Sequence, residues 1–413
     1  MKRNYEPIPL STLHAPVSPP RKRPKPYPPE PSTSRLAAIE AGDVRVPNHL
    51  SICSAQLSAA SRPTEPQVPR LQIPDWVDLY LRNQHPQGRH FVIHQHDHPI
   101  AGPHYDLRLQ FSASSSVSWS IMYGLPGNPN SRRVNRNAIE TRVHCLWNHL
   151  IETASSRTGS MIIWDTGEYE ILPYQIESSV QETDDSQSEV SDVPPSPSAE
   201  CAMSESEKLR LAFRNRKIRL RLHGTRLPSN YTIILRLDRT TDVRKSISRP
   251  QRRSTRRVAR TRAQQHSTSS SGSSTQLSSD EEKNPLDAAQ TRDSEAEAEA
   301  DDIDHRIRTD NAYPGSTNSI GSIHQRRWFL TLDRDNSGFT HEPGPGPAGK
   351  WWVRKQDPDP DPRTGRCLGF DPFYVHGPER ERSIVTGRLG CDVLRDEGVE
   401  GFVARRGWRP VLD

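Results

Sequence analysis

The sequence predicts a mostly β protein, built on a compact antiparallel β-barrel that long disordered insertions interrupt. Three observations lead there. The apolar segments are short, rich in Val, Ile, Trp and Tyr, and bounded by Gly, Pro, Ser and Asn, which is the punctuation of strands rather than helices. Several such segments recur at short intervals with turn signals between them, a spacing that suits a barrel or sandwich. Hydrophobic residues make up only 32% of the 413 and prolines number 37, so much of the chain lacks the apolar surface that offsets the entropy of ordering it.

Residues 1–70 read as a disordered, Pro-rich region carrying the basic cluster Arg21-Lys22-Arg23-Pro24-Lys25. That cluster fits a nuclear import signal, a phosphate-binding arm or a solvated charge run. From Ile73 the pattern changes. Residues 75–81 predict a short helix leading into a strand at 91–93, and strands follow at 117–122, 138–146, 160–164 and 169–172. Turn signals separate them at Gly124, Gly127-Asn128-Pro129-Asn130 and Asp165-Thr166-Gly167. These elements make residues 71–176 the first part of the barrel.

An acidic insertion follows at 177–206, and the barrel continues over 207–239. In 217–222 the alternation sets Lys217, Arg219 and Arg221 against Ile218, Leu220 and Leu222, and His223-Gly224 turns the chain toward a partner strand at 231–237. The basic face is either solvated surface or a nucleic-acid track. Residues 240–320 read as a second insertion, basic around Arg252 to Arg262 and acidic from Asp280 to Asp304. Segment 321–413 supplies a closing strand at 327–330 and a small C-terminal subdomain with a helix near 391–396.

Five scattered cysteines (Cys53, Cys145, Cys201, Cys367 and Cys391) indicate neither a zinc cluster nor a disulfide framework, which fits a reducing, intracellular compartment. The net charge of +5 is unevenly spread. No apolar leader or bilayer-length stretch occurs, so a soluble protein without a membrane partner is expected.

The densest chemistry lies in His94-Gln95-His96-Asp97-His98 and His104-Tyr105-Asp106-Leu107-Arg108. On a strand His104, Asp106 and Arg108 share one face, and Tyr105, Leu107 and Leu109 the other. Two imidazoles from neighbouring strands and a carboxylate are the usual ligands of a divalent transition metal, and an arginine beside them can hold a phosphate. Alternation over 136–144 gives a second charged face of Arg136, Ala138, Glu140, Arg142 and His144. If that strand neighbours the first, Arg136, Arg142 and His144 reach the same pocket; taken alone, Arg136 and His144 fit surface salt bridges, and Glu140 and Arg142 fit a pair. His94 and His98 read as solvated or supporting groups, and Trp119 and Trp164 as core.

These residues resemble the 3′-phosphoesterase domain fused to bacterial ligase D and found alone in some prokaryotes and fungi. Phe91-Val92-Ile93, His96-Asp97 and His104-Tyr105-Asp106-Leu107-Arg108-Leu109 look like its opening strands. Ser118-Trp119-Ser120-Ile121 and Arg136-Asn137-Ala138-Ile139 to His144 resemble its middle strands. Ile163-Trp164-Asp165-Thr166-Gly167-Glu168-Tyr169, Leu222-His223-Gly224 and Trp328-Phe329-Leu330 resemble the later ones. The resemblance implies a divalent metal, most simply Mn2+, and hydrolysis of a 3′-phosphate or terminal ribonucleoside at a DNA or RNA/DNA 3′ end.

Carried over, it implies His96, His104 and Asp106 as metal ligands, Arg108 and Arg136 as phosphate contacts, and His144 as transition-state stabiliser or general acid. The 96–104 stretch is two residues longer than the bacterial pattern, which makes His98 an alternative ligand; Arg142 is a candidate extra phosphate contact. Tyr123 stands where the family has lysine and Asn148 where it has tyrosine, and the acidic and basic residues expected ahead of the first strand have no counterpart. The expected function is trimming of blocked 3′ ends in nuclear DNA repair, beside a ligase or repair polymerase acting in trans. The alternatives are an end-binding adaptor with weakened or lost turnover on the same barrel, and a barrel acting on an unrelated small phosphoester.

Overall fold

The computed structural model describes residues 35–40, 44, 46–173, 203–238, 310–344, 350–356 and 367–412. The Arg21 to Lys25 cluster, most of the acidic 177–206 insertion and residues 240–309 of the second insertion lie outside them.

Eight antiparallel strands close into a barrel. Strands β1 (His90–His98), β2 (Gly102–Gln110), β3 (Ser115–Met122) and β4 (Asn135–Glu140) run in order. Then come β10 (Arg327–Leu332), β9 (Thr232–Leu237), β8 (Lys217–Gly224) and β7 (Gly159–Ile171), and β7 pairs back onto β1. Short strands β5 (His144–Cys145) and β6 (Thr153–Ser155) attach to β3 and β7, and β11 (Phe339–Pro343) pairs with β12 (Lys350–Arg354) in a separate two-stranded sheet.

Alternation decides what each face does. Phe91, Ile93, Tyr105, Leu107, Trp119, Ile121 and Ala138 point inward and fill the barrel. The opposite face of β1 and β7, with Val92, Met161 and Ile163, is covered from outside by α1 (Arg35–Glu40), α2 (His49–Ala60) and α3 (Ile73–Leu81). Asn48 caps α2 by accepting from the Ser51 amide at 2.9 Å. Helix α3 begins with Pro74 and Asp75, a favourable first turn, and buries Trp76, Leu79 and Tyr80. Helix α4 (Glu205–Arg214) starts on a Ser204/Glu207 capping box and packs Phe213 against Trp119 and Trp328.

Closure joins β4 to β10 across the second insertion, and Glu140 ties that seam. Fully buried, it accepts from Arg326 Nε, Trp328 Nε1 and the Ile323 amide, each at 2.9 Å.

Several expectations change. Residues 46–70, read as disordered, contain α2, whose Cys53 and Leu57 belong to the outer core. The strand expected at 138–146 ends at Glu140. Asp165-Thr166-Gly167 is no turn: β7 runs unbroken through it, with a bulge opposite Ile93/His94, and the buried Asp165 side chain instead caps the β8–β9 loop through the amides of Thr225, Arg226 and Leu227. Segment 310–320, placed within the second insertion, meets the barrel at the Val143↔Ala312 bridge.

The C-terminal region is not a separate subdomain. Fully buried Glu152 accepts from Ser383 Oγ, from Thr386 Oγ1 at 2.7 Å and from Arg388 Nη2 at 2.9 Å, binding that segment and α5 (Gly390–Asp396) to the wall. The basic face of β8 is partly neutralised, with Arg219 on Asp333 at 2.9 Å and Arg221 near Glu170 at 3.6 Å. Among the described residues, Cys53, Cys145, Cys367 and Cys391 are free thiols, and no helix is long and apolar enough to cross a membrane.

Candidate metal centre

The chemical face of β2 looks outward from the barrel wall. Register sets His96 directly across from His104 and His94 across from Asp106, while on the other side Ser118 opposes Arg108 and Ser120 opposes Asp106. The serines are small and leave room above the wall.

His96 Nδ1 lies 3.5 Å from one Asp106 oxygen, and His104 Nε2 lies 3.5 Å from the other. The remaining ring nitrogens are engaged: His96 Nε2–H donates to the Thr158 carbonyl at 2.7 Å, and His104 Nδ1–H donates to the Gly102 carbonyl at 2.8 Å. The ring edges opposite these carbonyls therefore face Asp106, and fixing the far edge in this way is how protein hydrogen bonds orient metal-binding imidazoles. A separation of 3.5 Å is too long for a good N–H···O bond. It suits donors that each sit roughly 2.1 Å from a shared ion. Among the described residues this is the one group of His, Cys, Asp or Glu side chains with donor atoms close enough to hold an ion, all within 4.8 Å.

Burial works against the ionised form of Asp106, yet His104, His96 and Arg108 together hold its carboxyl well below the usual carboxylate range. Burial lowers the pKa of His104, which favours the neutral ligand form.

His98 does a different job. Its Nδ1 accepts from the amides of Ile100 and Ala101, both at 3.1 Å, across the β1–β2 turn. A neutral ring that accepts at Nδ1 carries its proton on Nε2 and has no lone pair left for an ion.

Arg108 is only 2% exposed and poorly satisfied by protein. It donates to the Asn148 carbonyl at 3.2 Å, touches Met161 Sδ at 3.7 Å and lies 3.9 Å from Asp106. Among the described residues its Nε and the buried hydroxyls of Ser116 and Ser118 have no hydrogen-bond partner. A buried guanidinium with spare donors beside spare hydroxyls is suited to receive an anion.

His144 joins this group from β5, where it pairs with Ser116. Asn148 Nδ2 donates to its Nδ1 at 3.1 Å, which leaves Nε2–H as the ring's donor, and Tyr313 packs on it at 4.7 Å between centroids. Burial pulls the His144 pKa well below its ordinary value, with the Arg108 charge adding to the effect. His94, fully buried, is shifted the same way for the same two reasons.

Arg136 does not belong to this cluster. It shares the inward face of β4 with Ala138 and Glu140, and its guanidinium donates to the Arg133 carbonyl. The expectation failed because alternation does not carry across residues 141–143, where the chain leaves β4 and rejoins β3 at its other end as β5. Arg142 stands at the edge, its guanidinium 5.5 Å from the Tyr313 ring centre.

Sequence reasoning missed the groups that hold the site in place. The carbonyls of Gly102, Asn148 and Thr158 do so through backbone atoms, which no side-chain motif reveals. Behind Arg108, His149 Nδ1 meets His90 Nδ1 at 2.7 Å in a fully buried imidazole pair.

The closed antiparallel barrel thus carries, on its outer face, a His-His-Asp donor set able to hold an ion and, beside it, a buried arginine with donors to spare. The sequence model described as DNA Ligase D 3'-phosphoesterase domain matches residues 94–235, roughly a third of the chain, and that segment carries the family's domain. No curated protein matches the chain.

Proposed function

We propose that the chain is a metal-dependent 3′-phosphoesterase that clears blocked DNA 3′ ends, removing a 3′-phosphate or a terminal ribonucleoside during repair. The observation that carries this reading is the pair of imidazoles that each turn one ring nitrogen toward Asp106 while backbone carbonyls fix their opposite edges. The family match over 94–235 supports the reaction class. His96, His104 and Asp106 would hold the ion, with Mn2+ favoured by the resemblance. When bound, such an ion polarises a phosphoryl oxygen and lowers the pKa of a water.

The chain's own residues supply the rest. Arg108 presents fixed, water-excluded donors to the equatorial phosphoryl oxygens, where they oppose the charge that grows in the transition state. Asn148 holds both partners of that grip: its carbonyl receives Arg108 and its side-chain amide fixes the His144 ring. His144, neutral by burial, acts as a hydrogen-bond donor through Nε2–H. The nuclear setting rests on the Arg21 to Lys25 cluster. A ligase or repair polymerase follows as partner from the 3′-hydroxyl that the reaction leaves.

The test is phosphate release from a 3′-phosphorylated primer–template by the full chain with Mn2+. His104→Ala should abolish release; equal release by that variant, or none by the wild type with Mn2+, Co2+, Zn2+ or Mg2+, overturns the assignment. The adaptor reading, favoured by exposed Tyr123 where the resemblance implies lysine, requires tight binding of the same primer with no release.

A further inference from the structure

We propose that the C-terminal segment 398–412, together with Tyr123, is a docking platform for single-stranded nucleic acid beside the metal centre. The inference deepens the reading above by naming where the strand lies, and it rests on that reading only for the identity of the ligand.

The segment follows the rim of the donor set, touching in turn the backbone units that orient it. Phe402 packs at Gly159, where an added Cβ would come within 3.0 Å of its ring; the preceding residue, Thr158, fixes His96. Arg405 lays its stem along Gly102, where an added Cβ would lie 3.3 Å from its Cδ, and donates to the carbonyls of Ile100 and Ala101 at 2.9 and 3.2 Å. Gly102 is the unit that fixes His104. Trp408 covers Gly377 and lies 6.4 Å from the Tyr123 ring, 20° from parallel.

Tyr123 follows Met122, the cross-strand partner of His104. Its φ of 65° is left-handed, a conformation that Gly or Asn adopts easily and a bulky aromatic adopts only under strain. The residue nevertheless stays 41% exposed, so core packing does not account for it. A strained, exposed aromatic at the edge of a site points to a ligand.

The charge agrees. Segment 398–412 contains three arginines against one acidic residue, Glu400, and Arg406 and Arg409 are exposed with no carboxylate partner among the described residues. Aromatic faces that stack bases, interleaved with cations that follow phosphates, are how proteins hold single strands without reading sequence. An acidic peptide would use the cations and leave the rings idle, so the strand is the better fit.

The experiment measures anisotropy of a labelled oligo-dT bearing a 3′-phosphate, titrated with the full chain in EDTA so that no turnover intervenes. Tyr123→Ala should weaken binding about tenfold, while Tyr123→Phe, which keeps the ring, should bind like the wild type. Arg406→Ala with Arg409→Ala should flatten the slope of log K against log salt by about 1.4, or 0.7 for each lost contact. All three positions carry exposed side chains, and circular dichroism checks that the fold survives. Binding within twofold of wild type in both the Tyr123→Ala and the double-arginine variants overturns the platform, as does equal displacement by poly-glutamate. Tyr123-dependent binding without phosphate release from the wild type would remove the phosphoesterase reading and leave the platform. Release with binding unchanged in every variant would do the reverse.

Discussion

Asp106→Asn tests the metal centre without reference to catalysis. The substitution keeps the shape of the side chain but removes its charge and replaces one of the two oxygens that face His96 and His104 with an amide nitrogen. An ion that binds only the folded chain stabilises it by about 2.7 kcal/mol at a hundredfold excess over Kd. At roughly 2–4 °C per kcal/mol for a fold of this size, the wild type should melt about 5–11 °C higher in saturating Mn2+ than in EDTA. Asp106→Asn and His96→Ala should lose most of that rise. His98→Ala should keep it, because His98 Nδ1 serves the turn amides of Ile100 and Ala101. Thermal melts of the four proteins in both buffers decide the matter. A wild type indifferent to every divalent ion, or a rise that vanishes with His98 and persists without His96, would refute the geometry.

Three further outcomes follow from buried charge. Burial pushes His90 down to about 3 from an ordinary 6.5, so the unfolded chain binds the proton more readily; the stability this gives is complete above pH 6.5 and is lost as pH falls toward 3. His90→Gln should reduce the acid slope by up to about 1.4 kcal/mol per pH unit, and urea titrations giving identical slopes would disprove it. Glu140→Gln leaves Arg326 buried without its counter-charge and should cost about 3–5 kcal/mol in the same assay, whereas a loss under about 1 kcal/mol would show that barrel closure does not depend on it. Arg108→Met should leave stability within about 2 kcal/mol while lowering kcat/KM at least about 100-fold, and a merely structural arginine would show the opposite pattern.

Strands with clean alternation were legible. In β2 the apolar parity of Tyr105, Leu107 and Leu109 went into the barrel, and β8 behaved likewise with Ile218, Leu220 and Leu222. Elements stabilised by contact rather than by pattern were not. Helix α2 presents no strong apolar stripe and buries only Cys53 and Leu57 against the outer wall. The turn signal Asp165-Thr166-Gly167 was overridden because β7 is paired along both edges, with β1 and β8, and because Asp165 spends its carboxylate on the next loop.

The donor set was legible for the same reason as β2, since His104, Asp106 and Arg108 share a parity within one unbroken strand. Arg136 was misplaced because parity was extended across a break, and the consequence is instructive. On a closed barrel the inner face is filled with apolar side chains, so a polar, ligand-binding face must be the outer one, and an outer face needs cover to stay dry. Here that cover comes from Leu146–Leu150, from Tyr313 against His144 and from the strap carrying Phe402, Arg405 and Trp408. Two of those three lie beyond residues 94–235. The matched segment therefore positions the ligands and supplies the contacts around Arg108, whereas Tyr313 and the strap, which lie outside it, complete the cover of the site. Replacing those segments should change substrate binding before it changes ion binding.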